Sequence, residues 1–351
     1  MLRYYTRACN FYYGNESRSL IKKKKALPLN GNQKISFDQI ELITRISKKK
    51  IPINGIKNLP IVQKRQIIKD LKKITSKKKN FANLSFLEIP NIMGVLNVTP
   101  DSFSDGGKFN NKKKAIKHAI LMSKSGVNLI DIGGESTRPG SKGVSAKLEW
   151  NRINGVLKSI CKKLPVSLDT RKSVIMKKGI KLGVKIINDV SGLSFDLETK
   201  SVLKKFKIPF IIQHSQGLPE NMQKNPSYKN ELLDIYDFFE KKIKFLRSIG
   251  LKHNNIIIDP GIGFGKNLKH NMNIISNISI FHSLGFPILV GNSRKKYIKE
   301  LSGINDTKAR IGGTIASSIY LMMQGVQILR IHDVNETLQG IKVFKELIKK
   351  R

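Results

Sequence analysis

With only Cys9 and Cys161 among its 351 residues, the chain has neither the thiols for a disulfide framework nor the ligand pairs of a structural zinc site. No H-E-x-x-H stretch is present either, so zinc chemistry has no anchor, and a reducing compartment is expected. Long apolar runs are also missing. None approaches the roughly 20 residues that span a bilayer, and no apolar core of a signal lies near residue 1, so neither a membrane anchor nor a secretory signal is expected. Acidic residues are scarce, 25 against 65 Lys and Arg, which leaves a formal charge of +40. Such a charge ordinarily suggests a nucleic-acid partner. Here the excess is mostly lysine in short runs (Lys22–Lys25, Lys48–Lys50, Lys77–Lys79 and Lys112–Lys114), and the 7% of aromatic residues do not interleave with them as a base-stacking platform requires. No specific nucleic acid is expected. The lysines read as a solvated surface whose field would still favour small phosphate-bearing substrates.

What is present divides at about residue 88. Residues 1–88 are Lys-rich, with apolar patches at Ile35–Ile43 and Ile61–Leu71 that predict one strand and one or two short helices, and no catalytic constellation. Arg3, Arg7 and Arg18, with Glu16 the only acid in the first 25 residues, have the charge pattern of a mitochondrial transit peptide. Ser and Arg do not dominate, however, and the basic bias continues well past any cleavage point, so an N-terminal extension of a cytoplasmic protein is the favoured reading and a mitochondrial matrix protein the minor one.

From Ile92 the pattern becomes a beat of short apolar run, polar loop and helical segment. The runs are Ile92–Leu96, Leu129–Ile132, Pro165–Leu168, Lys185–Ile187, Pro209–Ile212, Ile256–Ile258, Pro287–Val290 and Ile328–Ile331, and spacings such as Leu232-Leu233-Ile235-Tyr236-Phe239 predict helices between them. Eight strand–helix units in roughly 260 residues suit a (β/α)8 barrel over residues 89–351. A doubly wound sheet would need fewer strands and a switch point that cannot be placed.

A barrel of this kind builds its site from the loops at the carboxyl ends of the strands. Those ends carry Asn97 with Asp101; Asp131 and then G-G-E-S-T-R-P-G (133–140); Asp169-Thr170-Arg171; Asn188-Asp189; Gln213-His214; D-P-G-I-G-F-G-K (259–266); Asn292-Ser293-Arg294-Lys295; and Arg330-Ile331-His332-Asp333. One Asp at a strand end is commonly a helix cap, but eight polar ends in phase are not explained by capping. Gly261 to Gly265 has its third glycine one residue early for a dinucleotide-binding turn, and His214 and His332 have no partner at metal-ligand spacing.

Together N-V-T-P-D-S-F-S-D-G-G (97–107), D-I-G-G-E-S-T-R-P-G (131–140), S-L-D-T (167–170), I-N-D-V-S-G (187–192), D-P-G-I-G-F-G-K (259–266), G-N-S-R-K (291–295) and R-I-H-D-V (330–334) resemble dihydropteroate synthase, in the order of that family and over about residues 90 to 350. The resemblance implies a pterin-binding barrel that joins 4-aminobenzoate to 6-hydroxymethyl-7,8-dihydropterin diphosphate, releasing diphosphate and forming 7,8-dihydropteroate for folate synthesis. It implies catalytic roles for Asp169, Lys295, Asp101 and Arg138. For the pterin diphosphate it implies contacts from Thr137, Asp169, Asn188, Asp259, Lys295, Arg330 and His332; for 4-aminobenzoate, contacts from Phe103, Pro139, Phe264 and Ser293. Mg2+ held through Asn97 and a homodimer belong to the same implication. The main departure follows the fifth run, where Gln213-His214-Ser215 stands for the family's usual Met-His-Met, so an amide replaces a polarizable apolar wall. Two other classes remain to be separated from this one: a pterin-binding methyltransferase domain, disfavoured by Arg330 with His332 and by Ser293-Arg294-Lys295, and a basic binding protein that has lost activity, disfavoured by the intact polar set.

Overall fold

A computed structural model describes residues 3–99, 108–136, 140–217 and 220–349, with the backbone alone over 108–111. Eight parallel strands, β5 (Asn91–Asn97), β6 (Leu129–Gly133), β7 (Val166–Asp169), β8 (Ile186–Asp189), β9 (Phe210–Gln213), β10 (Ile256–Asp259), β11 (Leu289–Val290) and β12 (Ile328–Ile331), lie in the order β10-β9-β8-β7-β6-β5-β12-β11. A parallel bridge between Ile258 and Ile288 joins the two ends, so the sheet closes on itself into the expected (β/α)8 barrel.

Strand alternation explains how one short run serves two cores. Along each strand, one parity faces the helices: Ile92 and Leu96, Ile130 and Ile132, Val166 and Leu168, Phe210 and Ile212, Ile256 and Ile258, Leu329 and Ile331 all belong to the large cluster between barrel and helices. The other parity faces the barrel axis, where Met93, Leu129, Ile186, Ile211, Ile257, Leu289 and Ile328 form a separate cluster with Leu84 and Phe86. Residues 81–86 therefore plug the amino-terminal mouth of the barrel. Two residues further along the inward parity the side chains turn polar: Asp131, Asn188, Gln213, Asp259 and Arg330. The apolar lower layer excludes water beneath the polar upper one, and the site sits at the carboxyl ends.

The helices follow their own period. In α4 (Ala146–Ile160), Ile153, Val156, Leu157 and Ile160 are buried on one stripe, and Ser145 caps the amino end by accepting from the Leu148 N–H at 3.2 Å. In α7 (Glu231–Ser248), Asn230 caps in the same way at 3.1 Å, with Leu232, Ile235, Tyr236 and Phe239 buried.

The N-terminal segment holds more strand than its apolar patches suggest. β1 (Tyr5–Tyr13), β2 (Leu27–Leu29), β3 (Asn32–Ile43) and β4 (Lys48–Pro52) form an antiparallel sheet flanked by α1 (Gly14–Lys22) and α2 (Ile61–Thr75). β4 carries the Lys48–Lys50 run on exposed positions and buries only Ile51, which is how an edge strand avoids pairing with other molecules. Such a strand is held by its partner β3, so no periodicity marks it. The sheet and α2 cover residues 278–284, all seven buried, with Ser279 Oγ donating to the Ala8 carbonyl at 2.9 Å. Among the described residues, no helix is long and apolar enough to cross a membrane.

Candidate active site

Arg330 lies at the centre. From its inward position on β12 the guanidinium donates through Nε to Asp131 Oδ2 on β6 at 2.6 Å and through Nη2 to Asp169 Oδ2 on β7 at 2.9 Å. Asn188 on β8 donates to the same Asp131 oxygen at 3.1 Å. One cation thus faces two carboxylates, with both acids almost wholly buried. Burial first, and the Asp131 charge second, push the Asp169 carboxyl up to about 8 against the pull of Arg330. The pair is short of one positive charge.

Around this trio several buried polar atoms have no hydrogen-bond partner among the described residues: Asp131 Oδ1, Asp169 Oδ1, Asn188 Oδ1 and Gln213 Nε2. Buried polar groups are nearly always paired in folded proteins, and each unpaired one costs about 1–3 kcal/mol. Four on the inward face of one barrel mouth, mixing acceptors with a donor, suit a flat heterocycle with donors and acceptors on its rim. Asp259, on β10, adds a carboxylate that accepts from the Gly261 N–H at 2.8 Å and is raised to about 6, chiefly by burial. Lys295 is lowered to about 8 by burial and then by Arg330, and its Nζ stands 4.4 Å from the centre of the Phe264 ring.

The loop after β10 is shaped by glycine. Gly261 and Gly265 have φ of +66° and +61°, and a Cβ would collide with the His214 carbonyl at the first and the Gln216 carbonyl at the second. Beneath this turn Lys266 is buried, its Nζ donating to the carbonyls of Gly261 at 3.0 Å and Phe264 at 2.9 Å and to His214 Nδ1 at 3.0 Å. Burial lowers Lys266 to about 7 and drives His214 well below the usual histidine range, which keeps the imidazole neutral and able to accept.

At the other rim Ser293 Oγ accepts from the His332 N–H at 3.2 Å and lies 3.1 Å from His332 Nδ1, so the serine is joined to the histidine. Arg294 forks onto Asp333, and Asn292 donates to Ser317 and Ser318 of α10 (Ile311–Met323) at 2.8 and 2.9 Å. These bonds lock the 292–295 turn that delivers Lys295. Glu135, at the base of the 133–140 loop, accepts from Arg171 Nε at 3.0 Å and from the Val144 N–H at 2.8 Å.

The structure therefore brings together Asp169, Asn188, Asp259, Lys295 and Arg330, sets Phe264 against Lys295, and pairs His332 with Ser293. Asn97 ends β5 at the same mouth, half-buried. Asp101, Phe103, Thr137, Arg138 and Pro139 lie outside the described residues. Asp131, Gln213 and Lys266, which the sequence places at strand ends without a role, are further members of the site. Inward parity aims the first two at the site, because they stand two residues beyond Leu129 and Ile211 of the inward apolar layer. Nothing in the sequence marks Lys266 as buried.

No group of three or more His, Cys, Asp or Glu placed to hold a metal ion occurs among the described residues. Mg2+ seldom needs one. It keeps most of its waters and is bound through one or two protein oxygens plus substrate phosphates, and the Asn97 amide oxygen is a donor of that kind.

Residues 93–332 match the family described as pterin binding enzyme. The dihydropteroate synthase of Escherichia coli K12 is 38% identical over 271 residues, which is 76% of this chain and 95% of that protein. The crystal structure of the Yersinia pestis dihydropteroate synthase with a sulfonamide drug complex superposes with a TM-score of 0.71 at 38% identity, covering 76% of this chain and 97% of that one. The Xanthomonas albilineans dihydropteroate synthase with 4-aminobenzoic acid gives a TM-score of 0.70 at 32% identity, covering 74% and 93%.

Proposed function

Since this chain belongs to the pterin-binding enzyme family, alongside its dihydropteroate synthases, we propose that it condenses 6-hydroxymethyl-7,8-dihydropterin diphosphate with 4-aminobenzoate to give 7,8-dihydropteroate and diphosphate, a transferase step of folate synthesis. The observation that carries this reading is the unpaired polar rim around Arg330. Asp259 suits the amino-pyrimidinone donors of a pterin, Asn188 offers an acceptor from its unpaired Oδ1, and Lys295 offers a donor for the ring oxygen.

In the reaction the bond between the pterin methylene carbon and the diphosphate oxygen breaks, and the oxygen keeps the electron pair. The aniline nitrogen forms the new C–N bond and then loses its proton to water. Positive charge develops on the pterin as diphosphate leaves. Asp131, together with Asp169 once its carboxyl is ionised, shares one guanidinium and supplies negative charge to this cation, so the pair stabilises the transition state more than the substrate. Arg330, which already spends Nε and Nη2 on Asp131 and Asp169, and His332, joined to Ser293, are assigned to the leaving group. Asn97 would hold Mg2+, which when bound supplies charge neutralisation for the diphosphate. Phe264 and Ser293 are assigned to the benzoate, as an aromatic ring and a hydroxyl. Asp101, Phe103, Thr137, Arg138 and Pro139 belong to the same proposal through the resemblance alone. So does a homodimer, to be checked by sedimentation; a cytoplasmic placement rests on the charge pattern of the sequence.

Formation of dihydropteroate from the two substrates tests the reading as a whole. Single-turnover diphosphate release above about pH 8, where Asp169 is ionised, tests its chemistry: Asp169→Asn keeps most of the shape and loses the charge, so release should slow by about a hundredfold or more while pterin affinity changes far less. A mild effect, with release wholly dependent on 4-aminobenzoate, would place the charge elsewhere.

A further inference from the structure

Gln213 ends β9 on the inward face, paired in register with Asp259 of β10 and two residues beyond Ile211, the register partner of Asn188 on β8. It is only 4% exposed, and its Nε2 is buried without a hydrogen-bond partner among the described residues. Its Cγ packs against the turn at Gly261, 3.3 Å from where a Cβ would stand. The stem is therefore held by packing while the amide end carries an unmade bond. A methionine would fill the same space with no polar group to satisfy. Keeping an amide there weakens the free protein, a pattern expected where the group is completed by a ligand.

Resting on the pterin reading above, we propose that Gln213 is a substrate-binding residue: its Nε2–H donates to the ring nitrogen or carbonyl oxygen that flanks the donor pair facing Asp259. A carboxylate takes the two N–H donors of an amino-pyrimidinone edge, and the atoms next to those donors on the ring are acceptors. The strand beside Asp259 is where a donor for one of them has to stand, and among the inward residues of β8, β9 and β10 it is Gln213 that brings an unpaired amide donor. The bond is made in substrate and transition state alike, so it acts on affinity and selectivity and not on the chemical step.

The test uses the full chain with Gln213→Met and Gln213→Glu, titrated calorimetrically with 6-hydroxymethylpterin, together with steady-state kinetics and thermal melting. Both variants should bind the pterin about tenfold more weakly, about 1.4 kcal/mol. KM for the pterin diphosphate should rise to match, with kcat and KM for 4-aminobenzoate changed less than about twofold. The free Met variant should melt no lower than wild type, because it removes an unpaired donor. Unchanged pterin affinity in the Met variant overturns the proposal, as does a lower melting temperature with affinity kept, which would make the amide structural. Equal or tighter binding by the Glu variant at a pH where its carboxyl is ionised also overturns it, since a carboxylate cannot donate. If wild type itself fails to bind the pterin, the functional reading falls and this proposal with it; wild-type binding with an indifferent Met variant removes only the proposal.

Discussion

Asp259 and Lys295 set the pH window in which the pterin edge is met by opposite charges. Asp259 is raised to about 6 and Lys295 lowered to about 8, each mainly by burial. As pH falls below about 6 the Asp259 carboxylate gains a proton and can no longer accept from two ring donors with both oxygens; as pH rises above about 8 Lys295 loses its charge. Calorimetric affinity for 6-hydroxymethylpterin should therefore peak between those values and fall on both sides, and a flat profile from pH 5 to 9 would exclude these two groups from the pterin edge. Arg330 calls for a gentler substitution than alanine, because removing it leaves Asp131 and Asp169 buried without a counter-charge, a loss of roughly 3–5 kcal/mol. Arg330→Lys keeps one charge but cannot fork to two carboxylates and reach a diphosphate as well. Affinity for the pterin diphosphate should drop about tenfold. Equal weakening of the pterin alcohol in a parallel titration would show that Arg330 serves the ring.

The element that transmits tertiary packing to the site is the loop after β10. Its glycines let the backbone pass against the His214 and Gln216 carbonyls, and Lys266 ties the Gly261 and Phe264 carbonyls to the end of β9. Lys266→Met removes these charge-assisted bonds, so the melting temperature should fall by roughly 5–15 °C. It has a pH signature too. Folded Lys266 gives up its proton at about 7, whereas an unfolded lysine keeps it to about 10. Between those values the unfolded chain binds the extra proton, so wild-type stability should rise with pH across that window. Melting curves from pH 6.5 to 9 should show that rise in wild type and a smaller one in the Met variant; parallel curves would show that Lys266 titrates normally.

At the scale of the molecule, the N-terminal sheet is part of the barrel's outer packing. Arg45 donates to Asp234 and Asp237 of α7 at 2.8 Å each, Tyr13 to the Met323 carbonyl at 2.9 Å, and β1 with α2 roofs residues 278–284. None of the described residues in this sheet reaches the site. A chain starting at Asn80 keeps the plug formed by Leu84 and Phe86 but uncovers Ile278, Ile280 and Phe281. It should melt at least about 10 °C lower and aggregate more readily, since uncovering several large apolar side chains costs several kcal/mol. Any folded fraction, isolated by gel filtration, should keep its turnover per mole. Loss of turnover in that fraction would show that the sheet completes the site.

Much of this protein was legible without coordinates, and for a local reason. Alternation along Leu129-Ile130-Asp131-Ile132 or Ile328-Leu329-Arg330-Ile331 states which side chains share a face, and Gly, Pro and Asp mark where each strand stops, so the barrel and the strand-end residues Asp169, Asn188, Asp259, Lys295 and Arg330 followed from near neighbours. What near neighbours cannot state is which charge meets which. Arg330 is 199 residues from Asp131 and 161 from Asp169, and only closure of the sheet, which brings β12 beside β5 and one strand from β6, makes them one cluster. The same holds for Lys266, an ordinary lysine in the sequence whose burial depends on the end of β9. It holds as well for β4, whose lysines form a strand because β3 lies beside them. Local pattern determined the faces and the turns; the closed barrel decided the pairings, because electrostatics and burial depend on distance in space.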